Sequence, residues 1–162
     1  MFRMIKSACI EAPASVVWAH LARLDQIHLW TDVIHHSYMT SEAACGVGAE
    51  RVCELGGERA VRERIVAWDE GRSFSYESTD APLMKWARNT WSVRAEGGRT
   101  LVTTEAEMEF KGGWLGRLVG HLLVPLLGLV LPNPIVKLKF WVETGRPFTG
   151  KASALPRPVA TC

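Results

Sequence analysis

The sequence predicts an α+β domain: an antiparallel sheet of about seven strands, two short helices after the first strand, and a long apolar helix near the end. Three observations carry this. After a first strand, hydrophobic residues recur at helical spacing from Val16 to about residue 30, then at every second residue, and return to helical spacing after Lys111-Gly112-Gly113. Glycine pairs and acidic turns punctuate the middle region at short intervals, as in a meander. The length of 162 residues suits one domain with a substantial core and is short for two.

Phe2 to Ile10 reads as the first strand. Ala12-Pro13-Ala14-Ser15 breaks it, and Pro13 suits the start of a helix because the missing N–H has no intrahelical partner there. Val17, Leu21 and Leu24 then share one helical face, and Asp25 to Trp30 makes a second short helical turn. In the next region Val61, Ile65 and Ala67 alternate with Arg62 and Arg64, which predicts a strand with one buried and one wet face. Asp69-Glu70-Gly71 turns the chain, and Phe74 and Tyr76 share a side of the following strand. Trp86 to Ala95 alternates up to the Gly97-Gly98 turn. Thr100 to Phe110 then sets Val102, Thr104, Ala106, Met108 and Phe110 against Thr103, Glu105, Glu107 and Glu109.

From Trp114 to Trp141 the chain is strongly apolar. Pro125, Pro132 and Pro134 predict a kinked or interrupted helix. Arg117, His121 and Asn133 argue against a membrane span, so the expectation is a helix buried against the sheet and no stable membrane insertion. Gly145-Arg146-Pro147 stops it. The domain is expected to cover residues 1–147, with 148–162 a flexible tail.

Composition narrows the function. Hydrophobic residues make up 48% and charged residues 22%, the balance of a globular protein. A formal charge of +2 with interleaved signs offers no basic stripe, so nucleic acid is not an expected partner. Cys9, Cys45, Cys53 and Cys162 form no C-x-x-C and have no histidine at ligand spacing, so neither a metal nor another cofactor is expected. They read as reduced thiols, and with no cleavable leader pattern at the start the expected location is the cytoplasm. Oligomeric state is not legible.

Five short motifs in order carry a resemblance. They are Ile10-Glu11-Ala12-Pro13 through Val17-Trp18, Trp30 followed by Val33, Gly46-Val47-Gly48-Ala49-Glu50-Arg51, Glu63-Arg64-Ile65-Val66-Ala67-Trp68-Asp69, and Phe74-Ser75-Tyr76. Over roughly residues 5 to 145 the chain resembles the START-like, Bet v 1-like helix-grip superfamily, and within it the polyketide cyclase/dehydrase and lipid-transport (SRPBCC) family. That resemblance implies a curved sheet wrapped around a long C-terminal helix, with an internal cavity for a hydrophobic ligand. The proline-rich middle of the last helix departs from the pattern.

Strand alternation nominates the cavity residues. Glu63 shares the apolar face of its strand with Val61 and Ile65, and Arg51 shares a face with Cys53 and Leu55. Phe74, Tyr76, Asn89, Trp91, Thr104 and Met108 follow on neighbouring strands. His35 and His36 lie on opposite faces of a regular second strand, so at most one faces the cavity and His35 is nominated; His121 is nominated from the long helix. A carboxylate on an apolar face needs a partner, and Arg51, Tyr76 and Asn89 are candidates. The Glu63 group is either a polar patch that orients a ligand or a structural ion pair holding two strands. No nucleophile elbow, phosphate loop or Ser/His/Asp order is present. Three functions stay open: a carrier or sensor of a lipid or polycyclic, polyketide-like molecule; a cyclase or aromatase acting without covalent catalysis, with Glu63, Tyr76 or His35 as acid or base; and an interaction module using the outer surface.

Overall fold

The computed structural model describes residues 1–79, 84–130 and 133–162, with the backbone alone at 127–130. The elements run β1 (Phe2–Ile10), α1 (Ala14–Leu21), a 3-10 turn (Leu24–Leu29), β2 (His36–Met39), β3 (Glu50–Gly56), β4 (Arg59–Asp69), β5 (Ser73–Thr79), β6 (Met84–Glu96), β7 (Arg99–Phe110), α2 (Gly113–Val130) and α3 (Ile135–Thr144). Among the described residues the strands form one sheet of seven in the order β1-β7-β6-β5-β4-β3-β2. Every neighbouring pair is antiparallel. The meander from β2 to β7 therefore ends beside β1, and the first and last strands pair. Gly97 and Gly98 make one of its two-residue turns possible. Both have positive φ, 58° and 86°, between the paired residues Glu96 and Arg99, and residues with side chains rarely adopt two such angles in succession.

One face of the sheet holds the core. Val17, Trp18 and Leu21 of α1 pack on it with Ile135 and Leu138 of α3, over Ile10, Ile65, Phe74, Trp91 and Val102. Trp18 and Trp68 meet edge to face at 5.3 Å, and Phe74 stacks on Trp68 at 5.6 Å. Both indole N–H groups donate to the Glu70 carboxylate, at 2.8 and 2.7 Å. Trp68 reaches this cluster because a bulge between Ile65 and Ala67 inserts one residue into β4. The bulge also turns Ala67, expected inward, to solvent.

The long apolar segment is interrupted, as its prolines predict, but of its two helices only the second is buried as expected. α2 passes through Pro125 and ends at Val130; Pro132 lies outside the described residues. Pro134 precedes α3, where Asn133 Oδ1 accepts the Ile135 N–H at 3.0 Å while Nδ2 donates to the Ser7 carbonyl at 2.9 Å. That residue both caps α3 and ties it to β1. α3 buries Ile135, Val136, Lys137 and Leu138. In α2, Val124 packs over Met108 and Phe110, with Phe2, Met4 and Leu123 around it. The approach is close because Gly120 faces the Phe2 ring, where a Cβ would stand 2.3 Å from a ring carbon. The rest of α2 leaves large apolar side chains in the open. Among the described residues no helix is long and apolar enough to cross a membrane.

Residues 148–162, expected to be loose, lie against the body. Phe148 packs on Phe140 at 5.1 Å, Ala152 is buried in a 3-10 turn, and the Cys9 N–H donates to the Val159 carbonyl. Cys9 and Cys162 form a disulfide, so two of the four cysteines are not the reduced thiols expected. Cys45 is exposed and Cys53 buried, both free. The inference from cysteine content to a reducing compartment loses its basis.

Candidate ligand cavity

The register of the sheet builds one wall of a cavity. Lys6 pairs with Thr104, which pairs with Trp91; one row along, Met4 pairs with Ala106, Ala106 with Asn89, and Asn89 with Tyr76. These two cross-strand rows point to the same face, because side chains two apart on a strand share a side. The opposite wall comes from the 3-10 turn and the loop after it, through Ile27, Trp30 and residues 31–34. Pro134, Lys137 and Ala152 complete the enclosure. The space is about 230 Å³ and mostly lined by carbon.

Its polar groups fall into two sets. At the tail side, Lys137 Nζ donates to Asp32 Oδ1 at 3.0 Å, and Asp32 Oδ2 accepts the Ala152 N–H at 2.7 Å. Burial pushes the Asp32 carboxyl up, but the Ala152 N–H and the Lys137 ammonium outweigh it and hold the group below the usual carboxylate range. On the sheet side stand Asn89, Thr104, the Tyr76 hydroxyl and Lys6, whose ammonium pKa burial pulls down. Burial, reinforced by Glu63, pushes the Tyr76 phenol well above its ordinary value, so it stays protonated and neutral.

Between the two sets lie two tryptophans. Trp30 and Trp91 are 2% and 4% exposed and meet edge to face at 5.1 Å. Among the described residues the Trp30 indole N–H completes no hydrogen bond, and the Trp91 N–H approaches only the Tyr76 phenol oxygen, outside good hydrogen-bond geometry. Buried donors are normally satisfied, so two such groups in one cavity wall are informative.

Four residues nominated from the sequence line this wall: Tyr76, Asn89, Trp91 and Thr104. Six lie elsewhere. Arg51 and Glu63 both point inward but meet each other in the core. Arg51 Nε donates to Glu63 Oε2 at 2.7 Å, Nη2 stands 2.6 Å from the same oxygen, and Nη1 donates to the Leu24 carbonyl at 2.8 Å. The guanidinium also lies over the Tyr76 ring, 4.9 Å from its centre. Burial pulls the Arg51 pKa down, yet the Glu63 carboxylate more than reverses this and the net shift is upward. The Cys53 thiol beside the pair is pushed up to about 12, by burial first and then by Glu63. Phe74 is taken up by the tryptophan cluster and Met108 by the packing under α2. His35 is exposed beside Gly56, and His121 is exposed with its ring edge-on to Phe2 at 5.0 Å. Alternation missed Met4, Lys6, Trp30, Asp32, Lys137 and Ala152. Among the described residues no three His, Cys, Asp or Glu side chains converge in a way that could hold a metal ion.

A family model described as polyketide cyclase/dehydrase and lipid transport matches residues 1–132, and the chain belongs to that family. Its fold is shared with solved structures of low sequence identity. A protein of Thermus thermophilus superposes with a TM-score of 0.69 at 17% identity, covering 89% of this chain and 99% of that one. A START superfamily protein of Mycobacterium smegmatis gives 0.58 at 13%, covering 78% and 93%. Ara h 8.0201 gives 0.62 at 10%, covering 88% and 98%. The architecture is thus the START and Bet v 1 helix-grip fold. A comparison with curated protein sequences found no match.

Proposed function

We propose that this protein binds a hydrophobic small molecule bearing a hydrogen-bond acceptor, as a carrier or sensor. The family and fold support hydrophobic ligand binding in general. The acceptor rests on one observation: the Trp30 N–H is buried in the cavity wall without a hydrogen bond among the described residues, and the Trp91 N–H beside it approaches only the Tyr76 phenol oxygen. An unsatisfied buried donor costs about 1–3 kcal/mol, and a ligand carbonyl or carboxylate oxygen would remove that cost. The surrounding carbon surface would hold an apolar body, lipid-like or polycyclic.

The acid–base residues considered for a cyclase lie badly for that role. Glu63 is held by Arg51 outside the cavity, Tyr76 keeps its proton, and His35 is exposed. Binding without chemistry is therefore the reading this geometry favours. Titration with 1-anilinonaphthalene-8-sulfonate tests it: saturable uptake near one to one, reversed by fatty acids or polycyclic ketones, is expected. No saturable uptake, with no displacement by either class, would refute the carrier reading.

A further inference from the structure

Among the described residues, exposed large hydrophobic side chains gather on the outer side of α2. Trp114, Leu115, Leu118, Val119, Leu122 and Leu126 are between 50% and 74% exposed. At about 100° per residue they fall within an arc of about 140° on one side of the helix. Gly116, Gly120, Leu123 and Val124 occupy the arc that meets the sheet. Arg117 and His121 fill the remaining sector, at the border of the exposed arc, and Lys111 precedes the helix. From Phe110 to Val142 the sequence contains no aspartate or glutamate. The acidic residues of β7 do not reach this side. Glu105 and Glu109 alternate with the residues under α2, so they point to the opposite face, where Arg3 and Lys85 pair with them.

A contiguous exposed apolar patch of this kind marks an interaction site. Its charge says which kind. A helix with a leucine-rich face, a tryptophan at one end and only basic residues bordering the face has the pattern of one lying in a membrane interface. We propose that α2 docks this protein on an anionic lipid surface, its apolar arc among the acyl chains and Lys111 and Arg117 at the phosphates. A second copy fits less well, because a twofold contact through this face would bring like charges together with no acid to offset them. Val124 on the inner side of α2 belongs to the same apolar cluster as Met4 and Ala106, which also line the cavity, so docking would set the bilayer close to the ligand. The docking claim itself does not depend on what the cavity holds.

Flotation of the full chain with vesicles tests this. Vesicles of phosphatidylcholine containing phosphatidylglycerol are expected to carry the protein, those of phosphatidylcholine alone to carry much less, and high salt to weaken the association. The double substitution Leu118→Asp/Leu122→Asp, at exposed positions, should lower binding about tenfold or more with unchanged circular dichroism. Arg117→Ala should lower it about fivefold, and gives an independent readout should the double variant fold poorly. Absence of flotation with anionic vesicles, or flotation indifferent to salt and to both variants, overturns the proposal. So does a dimer in sedimentation that Leu118→Asp/Leu122→Asp converts to monomer while vesicles capture nothing; that result assigns the face to a second copy.

Discussion

Two polar groups are buried on the concave side of the same sheet, and they are treated differently. At one, the Arg51 guanidinium meets the Glu63 carboxylate, the Leu24 carbonyl oxygen and the Tyr76 ring, and the carboxylate also faces Cys53 and Ser78. At the other, Trp30 and Trp91 present N–H donors that complete no hydrogen bond among the described residues, beside a cavity. Burial and polarity are similar, but the compensation differs: Arg51 Nη2 completes no well-formed hydrogen bond, like the indoles, yet it stands 2.6 Å from a Glu63 carboxylate oxygen as an ion pair. The lesson is that a buried charge is weak evidence of a site when the structure already supplies its partners. A buried donor left over next to open space points the other way.

The contrast can be broken first at its structural end. Glu63→Gln leaves the Arg51 charge buried without its counter-ion and should destabilise the fold by about 3–5 kcal/mol. Urea unfolding measures that loss, while the affinity of the folded variant for an aromatic ketone should stay at the wild-type value. Adding Arg51→Met should recover part of the loss, since the two residues act as one unit. A large affinity change with unaltered stability would move Glu63 from structure to recognition.

How much of this was legible in the sequence follows from the same physics. Regular strands exposed their faces plainly. Alternation put Glu63 and Tyr76 inward, and the register carried Asn89, Trp91 and Thr104 to the cavity. It failed where the backbone is irregular or polarity misleads. The bulge in β4 turned Ala67 outward. In β1, Ile5 is about half exposed while Lys6 lines the cavity, the reverse of their hydropathy. Trp30 and Asp32 reach the wall from a turn and a loop, which have no period to read. The Cys9–Cys162 disulfide spans 153 residues, beyond any spacing rule, and the tail it secures could not be placed from composition. The leucine pattern of α2 identified a helix correctly but not which of its faces would be covered.

The tail gives the next largest effect. Cys162→Ser removes a crosslink across nearly the whole chain and should cost about 2–4 kcal/mol. Thermal unfolding of wild type with and without reductant should show the same difference, and the variant should no longer respond to reductant. A smaller effect belongs to Asp32. Its folded pKa is depressed, so its contribution is present above the unfolded value and lost as pH falls through the folded one. Hydrogen exchange at the Ala152 amide should therefore gain opening events only in acid, below about pH 4. Asp32→Asn should weaken protection at neutral pH and remove that acid-dependent step.

The smallest energy bears on the central claim, that the unsatisfied indoles recognise a ligand oxygen. The measurement compares two molecules of nearly equal shape, 2-acetylnaphthalene and 2-ethylnaphthalene, by calorimetry on the wild type and on Trp30→Phe/Trp91→Phe. Wild type should prefer the ketone by about 1 kcal/mol or more, the worth of a buried hydrogen bond. In the double variant, which keeps an aromatic ring at each position and loses both donors, that preference should disappear while the hydrocarbon binds nearly as before. An undiminished preference for the ketone in the double variant would contradict the account.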